Sequence, residues 1–212
     1  MSYAFYLFDL DGTLVDSLPD LTDSLNYTAI KIDYPKRFTM EQVRDFVGDG
    51  LTVLLRRAFP EYADVVLYLR KIFHEYYADN CNARTLLYDG VLETLETLHE
   101  SGVALAVVTN KPEEFTHPIL RRNHMHHLFH LIYGGDTFRF RKPDPEIIRR
   151  ALNKVNIVAS ESLMVGDSIN DIQAAAGAGV DSVLVTYGYG KLHEITPSPT
   201  FTIDTFPQIL TL

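Results

Sequence analysis

Carboxylates recur in this chain directly after short apolar runs. Ala4–Phe8 leads into Asp9-Leu10-Asp11-Gly12-Thr13, and Leu163–Val165 leads into Gly166-Asp167-Ser168-Ile169-Asn170-Asp171. Val103–Val108 ends in Thr109-Asn110, and the link after Leu131–Tyr133 carries Arg141-Lys142-Pro143. Where such runs are parallel strands, ligands bind at their carboxyl ends, so four carboxylates, a hydroxyl and a lysine converge on one rim. Clustered carboxylates repel one another and raise each other's pKa unless a cation sits among them. A hard divalent ion with oxygen ligands is the natural partner, and Mg²⁺ fits best.

The elements that must hold these groups follow from the hydrophobic pattern. The runs named above, with Val183–Val185 and the weaker Phe201–Ile203, read as strands buried on both faces. Amphipathic stretches separate them: Val91, Leu92, Leu95 and Leu98 share one helical face, and Ile147, Ile148, Ala151 and Leu152 share another. Helix starts are marked by Pro112 before Glu113 and Glu114, and by Asp144-Pro145-Glu146. Alternating strands and helices with short links predict an α/β fold, a doubly wound and mostly parallel sheet. One stretch breaks the rhythm. Roughly Leu18 to Leu86 shows only helical faces, among them Leu21, Leu25, Ala29 and Ile32, then Leu51, Leu54, Leu55 and Ala58. A third face holds Val65, Val66, Leu69, Ile72, Phe73 and Tyr76. Helices inserted after the first strand should form a small bundle of their own. The expected division is a core of residues 1–16 and 88–212 around a helical cap of residues 17–87.

These motifs resemble those of the haloacid dehalogenase superfamily. Asp9-Leu10-Asp11-Gly12-Thr13-Leu14-Val15 matches its first motif and Thr109-Asn110 its second. Lys142-Pro143 matches the third and Gly166-Asp167…Asp171 the fourth, all in the family's order over nearly the whole chain. The resemblance implies a Rossmann-like core and a role for each group. Asp9 would be the nucleophile that takes the phosphoryl group, and Asp11 the acid that protonates the leaving oxygen and then activates water. Thr109, Asn110 through its backbone, and Lys142 would hold the phosphoryl oxygens. Mg²⁺ would be bound by Asp9, the backbone carbonyl of Asp11, and Asp167, with Asp171 orienting that shell or reaching the metal through water. The family's ion pumps carry Thr where this chain has Asp11, and its dehalogenases lack that acid. A phosphatase or a phosphomutase is therefore expected.

The resemblance makes the insertion a cap that closes over the site. Within it, Phe46-Val47-Gly48-Asp49-Gly50-Leu51 is a Gly-rich turn opening a helix. Its backbone N–H groups can meet an anionic leaving group, or the turn can serve only as a helix start. Gly48, Gly50 and, one to two turns on, Arg56 are the substrate-binding candidates; for Arg56 and Arg57 a solvated surface is the competing reading. This segment, with Asp16–Leu21 and Gly134-Gly135-Asp136-Thr137-Phe138, is similar to phosphoglycolate phosphatases. The expected reaction is hydrolysis of 2-phosphoglycolate, with a phosphosugar mutase, a pyrophosphatase or a nucleotidase as alternatives and a non-catalytic binding protein last.

Other features invite competing readings. His117, His124, His126, His127 and His130 cluster, with His126 and His130 at helical spacing, so zinc is conceivable. No cysteine lies near, and Leu128 and Phe129 favour an ordinary helix on the sheet, its surface gaining charge below about pH 6.5. Ala174–Gly179 reads as close helix packing and a helix stop, and Cys81 as buried and inert.

Composition bounds the rest. With 212 residues, 46% hydrophobic and 22% charged, the chain is an ordinary globular domain, and at this size folding buries roughly 70% of the unfolded surface. A net charge of −9 offers nucleic acid no broad basic face. One cysteine excludes an intrachain disulfide. No apolar run approaches the roughly 20 residues of a membrane span, and no signal-peptide pattern opens the chain. The expected protein is cytoplasmic, acts on a small-molecule phosphate ester without nucleic acid or membrane, and is a monomer or a homodimer.

Overall fold

The computed structural model describes residues 3–212. The chain opens with strand β1 (Phe5–Phe8), turns through Asp9–Leu14 and enters a two-residue strand, β2 (Val15–Asp16). Four helices follow: α1 (Leu18–Lys31), α2 (Met40–Arg44), α3 (Leu51–Ala58) and α4 (Val66–Asn80). The chain returns through β3 (Leu86–Leu87), which pairs antiparallel with β2. Then come α5 (Val91–Glu100), β4 (Ala104–Val108), α6 (Glu113–Arg122) and β5 (Leu131–Tyr133). The last elements are α7 (Glu146–Val155), β6 (Ser162–Gly166), α8 (Ile169–Ala178), β7 (Asp181–Val185) and β8 (Phe201–Ile203).

Six strands form one wholly parallel sheet in the order β5-β4-β1-β6-β7-β8. Side chains alternate between faces along each strand. Phe5 and Leu7 therefore join the layer beneath α7 and α8, with Ile147, Ile148, Ala151, Ala174 and Ala175. Tyr6 and Phe8 face the other way, toward Val91 and Leu95 of α5 and Phe115 and Ile119 of α6. Phe8 lies opposite Val107 on one side and Val165 on the other. After β1 the chain builds outward through β4 and β5, then crosses back to build β6, β7 and β8. That reversal makes the carboxyl end of β1 the topological switch point, where such sheets bind ligands.

The strands lie where the hydrophobic runs predict, with β6 and β7 extended beyond them to Ser162–Gly166 and Asp181–Val185. Two expectations are corrected. The helical insertion ends at Asn80, and Leu86 belongs to the hinge strand β3 rather than to a helix, because Leu86 and Leu87 pair with Asp16 and Val15. His126 and His130 do not share a helix. α6 stops at Arg122, a single 3₁₀ turn spans His126–Leu128, and His126 instead meets His117, Nε2 to Nδ1 at 3.0 Å. Burial, then the neighbouring Arg121 and His117, hold the His126 imidazole below its ordinary pKa. Gly179 ends α8 in a left-handed conformation, and Cys81 is buried. Among the described residues no helix is long and apolar enough to cross a membrane.

The cap is stitched to the core at its hinge. Asp20 of α1, almost fully buried, accepts from Arg84 N at 2.9 and 3.1 Å, Thr85 N at 2.8 Å and Thr85 Oγ1 at 2.7 Å. Tyr189 approaches from the loop after β7. Its hydroxyl accepts from Ser17 N at 2.7 Å and donates to Asp16 Oδ1 at 2.8 Å.

Candidate active site

The rim above β1 collects the groups that the strand ends carry. Asp9 leaves β1 with its backbone N–H still bonded to Val165 O at 2.9 Å. Its Oδ1 accepts from Leu10 N at 2.7 Å and lies 3.0 Å from Lys142 Nζ. Thr109, at the end of β4, stands beside the same carboxylate with its hydroxyl placed to favour the charged form. Lys142 is buried and also holds Asp171 Oδ1 at 2.6 Å, so one ammonium bridges two carboxylates. Burial pulls that ammonium toward deprotonation, and Asp171 and Asp9 outweigh it, keeping Lys142 charged.

Asp171 sits in the first turn of α8, where the helix dipole favours an acid. Its Oδ2 accepts from Ser168 N at 3.0 Å and Ser168 Oγ at 2.7 Å, a capping box that fixes both residues. Asp167 is fixed by another loop: Oδ2 accepts from Tyr189 N at 2.7 Å and Gly190 N at 3.1 Å, and Thr13 Oγ1 reaches Oδ1 at 3.4 Å. This packing demands glycine at Gly12, whose φ is +81° and whose added Cβ would lie 2.5 Å from Asp167 Oδ2.

Carboxylate oxygens of Asp9, Asp167 and Asp171 all lie within 4.8 Å of one another and are buried. Burial pushes the Asp9 carboxyl up against the pull of Lys142, and Asp171 pushes it further. Burial likewise pushes Asp167 up, with Asp171 and Asp9 adding repulsion. A hard divalent cation among these oxygens removes that cost, and the all-oxygen donor set fits one. Asp11 is placed differently. Its side chain turns from this cluster to Lys111 Nζ, at 3.0 and 3.1 Å, and accepts from Ser17 Oγ at 2.5 Å.

Cap and core enclose a cavity of about 80 Å³ against Asp9, Asp11, Thr109, Asn110 and Asp167. Leu21, Val47, Leu51, Leu54, Phe73 and Tyr77 close it from the cap. Gly48 and Gly50 line it as expected, yet the turn presents a carbonyl to the core. Gly48 O accepts from Asn110 Nδ2 at 2.9 Å and Asn170 Nδ2 at 3.2 Å, so the turn latches the cap. Asn110 spends its amide on that latch and on Lys142 O, 2.9 Å away. Arg56 is not brought to the site. α3 buries Leu54, Leu55 and Ala58, which leaves Arg56 exposed and off the cavity wall, while Arg57 braces the turn through Asp49. Three polar side chains on the wall escaped the sequence reading: Lys111, Tyr77 and Tyr189. Lys111 directly follows Thr109-Asn110, and Tyr189 stands in a Tyr-Gly-Tyr-Gly stretch, signals that were present.

A profile of haloacid dehalogenase-like hydrolases matches residues 6–185. The chain belongs to the haloacid dehalogenase-like hydrolase family. Within it, the chain is 40% identical to a phosphoglycolate phosphatase of Aliivibrio fischeri, over 96% of this chain and 93% of the other. It is 41% identical to one of Vibrio cholerae, over 96% and 93%. A crystal structure from Haemophilus somnus, described as a predicted phosphoglycolate phosphatase, superposes with a TM-score of 0.93 at 37% identity, covering 100% of this chain and 98% of that one. This haloacid dehalogenase-like hydrolase is accordingly a phosphoric monoester hydrolase.

Proposed function

We propose that the protein hydrolyses 2-phosphoglycolate to glycolate and phosphate, with Mg²⁺, through an aspartyl-phosphate. The observation that carries this reading is the division of labour between two aspartates two residues apart. Asp9 is held by Lys142, Leu10 N and Thr109 at the buried end of the rim, and Asp11 borders the cavity where a leaving group would lie.

In this mechanism a carboxylate oxygen of Asp9 attacks phosphorus, and the bond from phosphorus to the ester oxygen breaks. Asp11 gives its proton to that oxygen, which departs as the alcohol of glycolate. Water then attacks the phosphorus, Asp11 takes its proton, and the bond to Asp9 breaks to release phosphate. Lys142 and Thr109 keep Asp9 oriented and meet the phosphoryl oxygens as charge shifts among them. Asp9, Asp167 and the backbone carbonyl of Asp11 would hold Mg²⁺, with Asp171 orienting them through Lys142 and Ser168. When bound, the ion supplies positive charge to the phosphoryl oxygens.

The size of the cavity supports a small ester. About 80 Å³ is well below the roughly 300–1,000 Å³ of sites for drug-sized ligands, which disfavours a sugar phosphate and so the mutase. The test is phosphate release, with Mg²⁺ and with EDTA, from 2-phosphoglycolate, pyrophosphate, β-glucose 1-phosphate and nucleotide monophosphates. A Mg²⁺-dependent preference for 2-phosphoglycolate, abolished by Asp9→Asn in a folded protein, is expected. Preference for another compound defeats the substrate, and turnover by Asp9→Asn defeats the nucleophile.

A further inference from the structure

Lys111 is the one cation on the cavity wall among the described residues, and the roles assigned above leave it without a task. Its side chain is 3% exposed. Besides the two Asp11 oxygens, Nζ donates to Tyr77 Oη at 2.6 Å and lies 5.0 Å from the centre of that ring. Tyr77 comes from α4 in the cap and is itself 1% exposed. Burial pushes its hydroxyl far above the ordinary tyrosine pKa, so it stays a neutral phenol. Since its oxygen accepts from Lys111, its own O–H proton is free to donate, and no acceptor meets it among the described residues.

The remaining wall offers a second anionic group no other cation. Asp9, Asp11 and Asp167 repel one, and Leu21, Val47, Leu54, Phe73 and Phe115 offer no donor. Lys142 is occupied at the nucleophile, Arg57 is bound to Asp49, and Arg56 lies outside. A buried carboxylate without a cation or donors is costly. Among the described wall residues the Lys111–Tyr77 pair alone meets it with a positive charge together with a free phenol proton, and it does so beside Asp11, the proposed partner of the leaving oxygen.

We propose that Lys111 and Tyr77 are the specificity-determining residues that bind the carboxylate of the leaving group, an α-hydroxy acid. The inference rests on the proposed function and says which atoms read its substrate. Lys111 belongs to the core and Tyr77 to the cap, so this recognition is complete only when the cap is closed. The competing role is purely mechanical, with Lys111 holding Asp11 in place, and it would affect every ester alike.

The test compares kcat and KM on 2-phosphoglycolate and on 2-hydroxyethyl phosphate, in which a neutral CH₂OH replaces the carboxylate, with Mg²⁺ present. Lys111→Met should cut kcat/KM for 2-phosphoglycolate about 10- to 100-fold more than for 2-hydroxyethyl phosphate, the size of a lost charged hydrogen bond. Tyr77→Phe keeps the ring and removes one oxygen. It should raise KM for 2-phosphoglycolate several-fold and leave that for 2-hydroxyethyl phosphate near the parent value. Turnover of the neutral ester reports that each variant is folded. Equal losses on both esters would overturn the assignment in favour of the mechanical role. A parent preference for 2-phosphoglycolate that survives both substitutions would overturn the assignment alone. A parent enzyme indifferent to the carboxylate would overturn the assignment and the proposed substrate together.

Discussion

Asp9 and Asp11 share a turn and almost nothing else. Asp9 meets a lysine, a backbone amide and a threonine hydroxyl in a buried corner, whereas Asp11 meets Lys111 and Ser17 beside the cavity. In the proposed mechanism the two fail differently. Asp11→Asn should lower kcat by about 10²- to 10⁴-fold, the usual worth of a positioned acid and base, while Asp9 still accepts the phosphoryl group. Rapid-quench measurement on an ester with a good leaving group should then find phosphoprotein accumulating, and its absence would remove Asp11 from the hydrolytic step. Much at this scale is legible in the sequence, because Asp9, Asp11, Thr109 and Asp167 each follow a strand end, Lys142 lies in the link after β5, and strand ends meet. Lys111 and Tyr77 are harder to read. Their partnership spans a strand end in the core and the last turn of a cap helix, a contact that no local spacing encodes.

At the scale of elements, the hinge concentrates the burden. Asp20 satisfies three donors of the returning chain at Arg84 and Thr85 from within the first turn of α1. Asp20→Ala leaves those donors without a partner and should cost about 3 kcal/mol, lowering Tm by roughly 6–12 °C for a chain of this size. Calorimetry checks this, and a shift under about 2 °C would mean that water replaces the carboxylate at no cost. The strands were readable because they are apolar on both faces. The hinge strands β2 and β3 were not, since two residues carry no period and their pairing depends on a return 70 residues later. The histidine segment misleads for a related reason: helical spacing is a necessary sign of a helix, not a sufficient one, and α6 had already ended.

For the whole molecule, buried acids make stability depend on pH and on metal. Asp9 and Asp167 hold their protons to higher pH in the folded protein than in the unfolded chain, chiefly because burial disfavours their charge. From about pH 4 up to neutrality these two groups therefore bind more protons in the folded metal-free protein than in the unfolded chain, and their contribution to stability falls as pH rises. A divalent cation should reverse this, so its stabilising effect should grow with pH. At a hundred times its Kd near pH 7.5, Mg²⁺ should add about 2.7 kcal/mol and raise Tm by roughly 5–10 °C, with a smaller gain at pH 5. Melting curves with Mg²⁺ and with EDTA at both values check it, and identical curves throughout would mean that the acidic cluster binds no ion. The order of the sheet has a consequence in time as well. β1 is made first yet lies at the centre, and its Phe5 waits for Ala104 and Ser162. At about 5–20 residues per second, the first partner is some 5–20 seconds behind, whereas helices form in microseconds. During synthesis the helices of the insertion can thus form before the sheet that they interrupt, and an apolar Phe-Tyr-Leu-Phe strand stands unpaired meanwhile.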